Sequence, residues 1–249
     1  MVEDKYQGIA SQYDRFFRSF DYRHPDIVEF FGTLFGDSTE YSVLDCSCGT
    51  GRDLLLFHSL GLNVVGSDLS ESMLNQARQN LGGRNVDIPL HRIDYRELPQ
   101  HFTDRFDAVV CLSTSIAEMP NDREILAALR SMRQALKHGG ILVLTQSTTD
   151  RQWREKPRFI LAVDSAEITR AFVIDYLEKG ARYNILDIVR QGEGSDLRVW
   201  SQELHIVLRD DQERLLKEAG FRTVDFYGDY RFGPYDKETS SQLIAVAHK

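Results

Sequence analysis

The sequence predicts an α/β fold: a doubly wound, mostly parallel sheet with an antiparallel β insertion and an N-terminal helical lid. Three observations predict it. Residues 43–55 join a short apolar strand to a helix through a glycine-bearing turn, residues 62–69 form a second apolar strand that ends in an acid, and residues 151–208 alternate polar and apolar positions. The first two make a βαβ unit, and the third makes an antiparallel meander.

Taken in order, residues 1–40 come first and are dense in aromatics, with Ile9, Tyr13, Phe16, Phe17 and Phe20 recurring at helical spacing. This predicts an amphipathic helix that either packs on the body or closes over a ligand as a lid. Residues 41–150 carry the core. In its first turn, Gly49 and Gly51 let the backbone approach a ligand closely, and the helix that follows offers unpaired N–H groups to a polar end. A nucleoside-containing cofactor is the first suspicion.

Asp68 ends the second strand, where an acid beside the first turn can accept hydrogen bonds from both ribose hydroxyls; Ser70 then opens the next helix as a cap. Further strand signals follow at residues 92–98 and 106–115. Residues 135–144 read as a helix closed by Gly139 and Gly140, with an apolar strand directly after it. The meander of residues 151–208 has turns at 178–180 and 192–195, and in a doubly wound fold an insertion at this point can roof the crevice at the strand carboxyl ends. It is expected to be the substrate cap, and residues 209–249 return to the core.

The order of these signals resembles the class I S-adenosylmethionine-dependent methyltransferase family. That family's usual Asp-Leu-Gly-Cys-Gly-Thr-Gly stands here as Asp45-Cys46-Ser47-Cys48-Gly49-Thr50-Gly51, with Ser47 in place of the first glycine. The resemblance covers residues 41–145 and continues more loosely through 215–221. It implies a Rossmann-like sheet and S-adenosylmethionine as cofactor, with S-adenosylhomocysteine as product. Asp45, Cys46, Ser47, Gly49, Gly51 and Cys111 would lie at the cofactor, Asp68 on its ribose, and Leu69, Met73, Asp94 and Tyr95 around its adenine. A nicotinamide-binding fold is the rival, but the chain lacks the last glycine of the G-x-G-x-x-G spacing. Residues 106–121 and Thr149-Asp150 are similar to the glycine and sarcosine N-methyltransferases, with departures at Ser113, Thr114 and Glu118.

Composition agrees with an enzyme acting on small molecules. The 249 residues, 42% of them hydrophobic, can fill one α/β core with an insertion, and no apolar run approaches the ~20 residues that span a bilayer. Three cysteines cannot all pair internally, and a reducing cytoplasm is the expected location. A net charge of −8 disfavours nucleic acid as partner. Cys46 and Cys48 are spaced C-x-C with no further ligand pair, so no metal is expected.

The expected reaction is an in-line SN2 methyl transfer to N or O of a small polar metabolite. Three residues are candidates for the chemistry: Tyr13 as an aromatic near the sulfonium, and Glu118 and His205 as bases. Arg170, Arg182, Arg190 and Arg198 either decorate the solvent face of the meander or, if one points inward, clamp a substrate carboxylate. The alternatives are a natural-product scaffold held by Trp153, Trp200, Tyr227 and Tyr230, or a non-catalytic cofactor-binding module. A monomer and a homodimer are both compatible with the sequence.

Overall fold

A computed structural model describes residues 4–17, 19–36, 38–192 and 194–249; residues 1–3 and 37 of the N-terminal segment, Arg18 within it, Glu193 of the second meander turn and the side chains of Phe16 and Gln191 lie outside the described set. The elements run α1 (Ala10–Tyr13), α2 (Pro25–Phe35), β1 (Ser42–Asp45), α3 (Arg52–Ser59), β2 (Asn63–Asp68), α4 (Glu71–Gly82), β3 (Leu90–Arg92) and β4 (Phe106–Cys111). After them come α5 (Asp122–Ala135), β5 (Leu136–Gln146), α6 (Asp150–Glu155), β6 (Phe159–Asp164), β7 (Ile168–Tyr176), β8 (Gly180–Gln191), β9 (Gly194–His205), α7 (Arg209–Glu218), β10 (Thr223–Tyr227) and β11 (Leu243–His248).

Seven strands form one sheet in the order β10-β11-β5-β4-β1-β2-β3. Strands β1 to β5 pair in parallel, while β11 pairs antiparallel with both β5 and β10. Val43, Leu44, Val109, Val110, Leu142 and Val143 are wholly buried, as central parallel strands covered by helices on both faces require. The winding reverses between β1 and β4. In a sheet of this kind a ligand crevice opens at that switch point, outside the strand carboxyl ends.

Two elements differ from expectation. The helix before β5 ends at Ala135, not at the glycine pair, and the chain turns extended at Leu136. Residues 137–140 stand opposite the single residue Asp107 in the pairing of β5 with β4, whose register jumps from Phe106↔Leu136 to Ala108↔Ile141. Gly139, at φ 78°, serves that bulge, and a Cβ on Gly140 would lie 2.9 Å from the Asp107 carbonyl oxygen.

The N-terminal helix is also shorter than its aromatic spacing predicts: α1 has four residues, a 3₁₀ turn covers Asp14–Phe16, and Phe17 is extended. Asp14 accounts for the break. Its carboxylate accepts hydrogen bonds from Thr50 Oγ1 at 2.5 Å and Asn80 Nδ2 at 2.7 Å, which ties the turn to the core. The Arg52 guanidinium then sits 3.6 Å above the Phe17 ring. The segment is a strap of short turns and not one amphipathic helix.

Residues 159–205 form a separate four-stranded antiparallel sheet, β6-β7-β8-β9, in the expected place between β5 and α7. Its inner face carries Arg170, Ile174, Ile185 and Asp187, all buried, and Trp200. Tyr227 and Tyr230 pack on Phe30 with ring centroids 5.9 and 5.5 Å away, so they belong to the aromatic core beneath α2 and do not form a wall with Trp153 and Trp200.

Candidate active site

The switch-point crevice is a cavity partly open to solvent. The turn after β1, the ends of β2 and β4, and the strap all contribute to it: Cys46, Ser47, Gly49, Asp68, Leu69, Met73, Asp94, Tyr95, Glu118, Tyr6, Tyr13 and Asp4 line its wall. The turn is fixed by its backbone. Cys46 N donates to Val110 O at 3.0 Å, Cys48 N to Ser67 O at 3.0 Å, and Ser47 N to the buried Asp45 Oδ1 at 3.1 Å. Gly49 and Gly51 have φ of 52° and 85°, which favours glycine, whereas Ser47 is outside the positive-φ set and its side chain costs the turn nothing.

Asp68 joins the turn to β2. Its Oδ2 accepts from Gly49 N at 2.8 Å and its Oδ1 from Ser70 N at 2.9 Å. Burial pushes its pKa up to about 6 against these two N–H bonds. Each oxygen keeps a free lone pair, so the carboxylate can still accept two hydroxyl donors at once. Burial likewise raises Asp45 well above the usual carboxylate range, with Asp53 adding to the effect. Asp94 is opposite in sense: burial works against ionisation, but the Arg96 guanidinium, 2.5 Å away, holds it below its ordinary value. Tyr95 donates to Ser115 O at 3.1 Å, which fixes its ring against the cavity.

The strap covers one side of the cavity. Asp4 Oδ1 accepts from Ser70 Oγ at 2.7 Å and its Oδ2 from Ser72 N at 3.0 Å, so a carboxylate docks at the N-terminus of α4. Tyr6 donates to Glu118 Oε1 at 2.6 Å and accepts from Gln202 Nε2 of β9 at 3.3 Å. Strap, core and insertion thus meet at one hydroxyl. Enclosure pushes the Tyr13 hydroxyl up to about 12, with Glu118 adding to the shift and Arg170 opposing it.

Four of the sequence candidates stand elsewhere, Asp45 among them, buried beneath the turn and outside the cavity wall. Gly51 packs on α4, where a Cβ would meet Ala77 Cβ at 3.2 Å, and Cys111 is wholly buried behind Ser47, whose Oγ donates to its sulfur at 3.7 Å. His205 lies apart from the cavity. Its Nε2 is 2.8 Å from Asp122 Oδ1, Arg214 holds the other Asp122 oxygen, and the ring lines a different groove with Trp153 and Lys179. Nor is any arginine of the insertion aimed at the cavity. Arg170 and Arg198 are the inward ones: Arg170 is bound through two nitrogens to both oxygens of buried Asp187, and Arg198 to Gln12 of the strap and to Asp196.

Asp4, Tyr6, Ser70 and Gln202 escaped sequence reasoning as site residues. Tyr6 stands seven residues before Tyr13, a helical repeat that could have signalled it, but Asp4 and Gln202 carry no local pattern.

The site fits S-adenosylmethionine: a half-free carboxylate suits a vicinal diol, Leu69, Met73 and Tyr95 suit an aromatic base, and the glycine turn admits a ligand close to backbone. Residues 43–140 match the methyltransferase domain family. The chain therefore carries a methyltransferase domain, in the fold of the class I S-adenosylmethionine-dependent methyltransferases. Among curated proteins it is similar to the glycine/sarcosine N-methyltransferase of Aphanothece halophytica, 28% identical over 225 residues, covering 89% of this chain and 81% of the relative. A shorter stretch of 103 residues is 35% identical to the dTDP-3-amino-3,4,6-trideoxy-alpha-D-glucopyranose N,N-dimethyltransferase of Streptomyces venezuelae, covering 41% of each protein. The fold is shared with an S-adenosylmethionine-dependent methyltransferase from Clostridium acetobutylicum ATCC 824, at a TM-score of 0.80, 18% identity and 98% coverage of both chains. No helix among the described residues is long and apolar enough to cross a membrane.

Proposed function

We propose that the chain methylates the nitrogen of a small polar amine. The observation that carries this reading is the Glu118 carboxylate in the cavity wall, at the junction where Tyr6, Tyr13 and the insertion's Gln202 converge. A carboxylate there attracts an ammonium group, orients it and accepts the proton that the amine must lose before its lone pair can attack. The relatives named for N-methylation of glycine, sarcosine and an amino sugar support an amine acceptor.

The cofactor supplies an electrophilic methyl on a sulfonium. In the proposed site Asp68 accepts the ribose hydroxyls, Leu69, Met73, Asp94 and Tyr95 hold the adenine, and Ser47 and Gly49 line the remainder. Tyr13 stays a neutral phenol at neutral pH and presents an aromatic ring to the cation. Within residues 1–40 the strap before α2 acts as the lid, since α2 is anchored in the core by Phe30, Phe31 and Phe35, and residues 151–208 act as the substrate cap. With the strap in place the cavity holds about 150 Å³. Small-molecule sites span ~300–1,000 Å³, so the strap swings out to load the site and returns to exclude water.

An amino-acid acceptor needs a cation for its carboxylate. Arg170 is neutralised by Asp187, but Lys5 and Arg92 line the cavity itself and can take that role.

The test is S-adenosylhomocysteine release with glycine, sarcosine, dimethylglycine and an amino sugar, each beside its hydroxyl analogue. Amines turn over and hydroxyl analogues do not, and Glu118→Gln lowers kcat/KM for the amine by at least about tenfold with cofactor Kd unchanged. Turnover confined to the hydroxyl analogues would refute the reading.

A further inference from the structure

The insertion has a second face, turned away from the cavity. Pairing across the sheet aligns Phe159 with Val173, Leu161 with Ala171 and Leu186, Leu186 with Val199, and Ile188 with Leu197, and alternation puts all of these on the outer side. They are exposed to an unusual degree: Phe159 by 70%, Leu161 by 64%, Leu197 and Val199 by 61% each, and Ile188 by 40%. Elsewhere on the described surface, large apolar side chains this exposed occur singly. A contiguous apolar face on an antiparallel sheet is built to be covered.

We propose that the outer face of β6–β9 is the interface of a homodimer, two such sheets packing face to face about a twofold axis. Charge chooses the occupant. The rim carries three ion pairs, Arg182–Glu203, Arg158–Asp175 and Arg190–Asp164, so its formal charges cancel. The whole chain has a net charge of −8, which makes two copies repel through most other faces. A basic or acidic partner finds no complementary field here, whereas a second copy meets a neutral apolar centre and a rim of both signs.

Area agrees. The five most exposed apolar side chains offer on the order of 500 Å², and the half-buried residues and rim bring the face near the ~800 Å² per partner of a standard stable interface. Packed sheets of this type cross at about −30° and interdigitate their inner side chains. Dimerisation would hold the insertion in place from outside while its inner face meets the strap. The inference is independent of which acceptor the enzyme uses.

The test is sedimentation velocity on the full chain across a concentration series up to about 100 μM, with wild type beside the Leu161→Glu/Leu197→Glu double variant. The wild type sediments at twice the monomer mass, and the variant at monomer mass with its circular dichroism unchanged. If the charged variant fails to fold, the milder Leu197→Gln/Val199→Thr pair replaces it and raises the dimer Kd at least about tenfold. A monomeric wild type overturns the proposal. So does a dimer that survives a folded variant, for example one paired edge to edge through β6.

Discussion

In the proposed site Asp68 is the residue on which cofactor affinity turns. Its pKa of about 6 stands above the ordinary 3.8, because burial outweighs two backbone hydrogen bonds. The folded chain therefore binds more protons at this site than the unfolded chain between those values, and the ligand-free fold loses this stabilisation as pH rises from near 4 through 6. Cofactor binding has the opposite slope, since ribose hydroxyls need the carboxylate as acceptor. Affinity for S-adenosylhomocysteine should rise roughly tenfold from pH 5 to pH 7.5, a ratio set by the ionised fraction of a group titrating near 6. Asp68→Ala should lower affinity by about 1.5–3 kcal/mol at neutral pH and flatten that profile. Calorimetry checks both; an equally steep profile in the variant would remove Asp68 from the site.

At the scale of elements, the strap and the insertion are held by different physics. The strap is tied by exposed and half-buried hydrogen bonds, with Asp4 on Ser70 and Ser72 and Asp14 on Thr50 and Asn80. Such ties are individually modest and reversible, as a lid requires. Asp4→Asn should raise the cofactor KM roughly three- to tenfold with an unchanged melting temperature. A lowered melting temperature at unaltered KM would show that the strap is structural packing.

The insertion instead contains the buried pair Arg170–Asp187, with the Trp200 ring 5.9 Å from the guanidinium. Removing one partner strands a buried charge. Asp187→Leu should cost about 3–5 kcal/mol in denaturant unfolding, and adding Arg170→Leu should recover much of it. Strict additivity of the two losses would show that the pair is not the unit of stability.

These elements also show what was legible in the sequence. The β1 turn, Asp68, and the meander were readable because each is a local pattern: glycine at positive φ, an acid at a strand end, alternation with turns. The end of α5 at Ala135 was not, because the glycine pair that resembles a helix stop is spent on a bulge whose partner, β4, lies about thirty residues earlier. The break after α1 was hidden for the same reason. It is made by Asp14 reaching Thr50 and Asn80, contacts that no window of sequence contains. His205 was singled out because a histidine near the core invites a proton-transfer role, but its position is decided by Asp122 at the start of α5.

Across the whole molecule, one sheet provides the crevice at its switch point, and a second sheet, the proposed substrate cap, carries an outward apolar face. The parallel core has the winding reversal that opens the crevice between β1 and β4. Strap, core and insertion then converge on the Tyr6 hydroxyl, through Glu118 on one side and Gln202 on the other. Methyl transfer at that junction is the central claim. It is tested most directly by a crystal structure of the chain with S-adenosylhomocysteine. The ribose hydroxyls should lie within about 3 Å of the Asp68 carboxylate, the hydrogen-bonding range, and the sulfur should face Tyr13 and Glu118. A sulfur directed instead into the groove of His205, Asp122 and Trp153, or a ribose bound away from Asp68, would contradict the account.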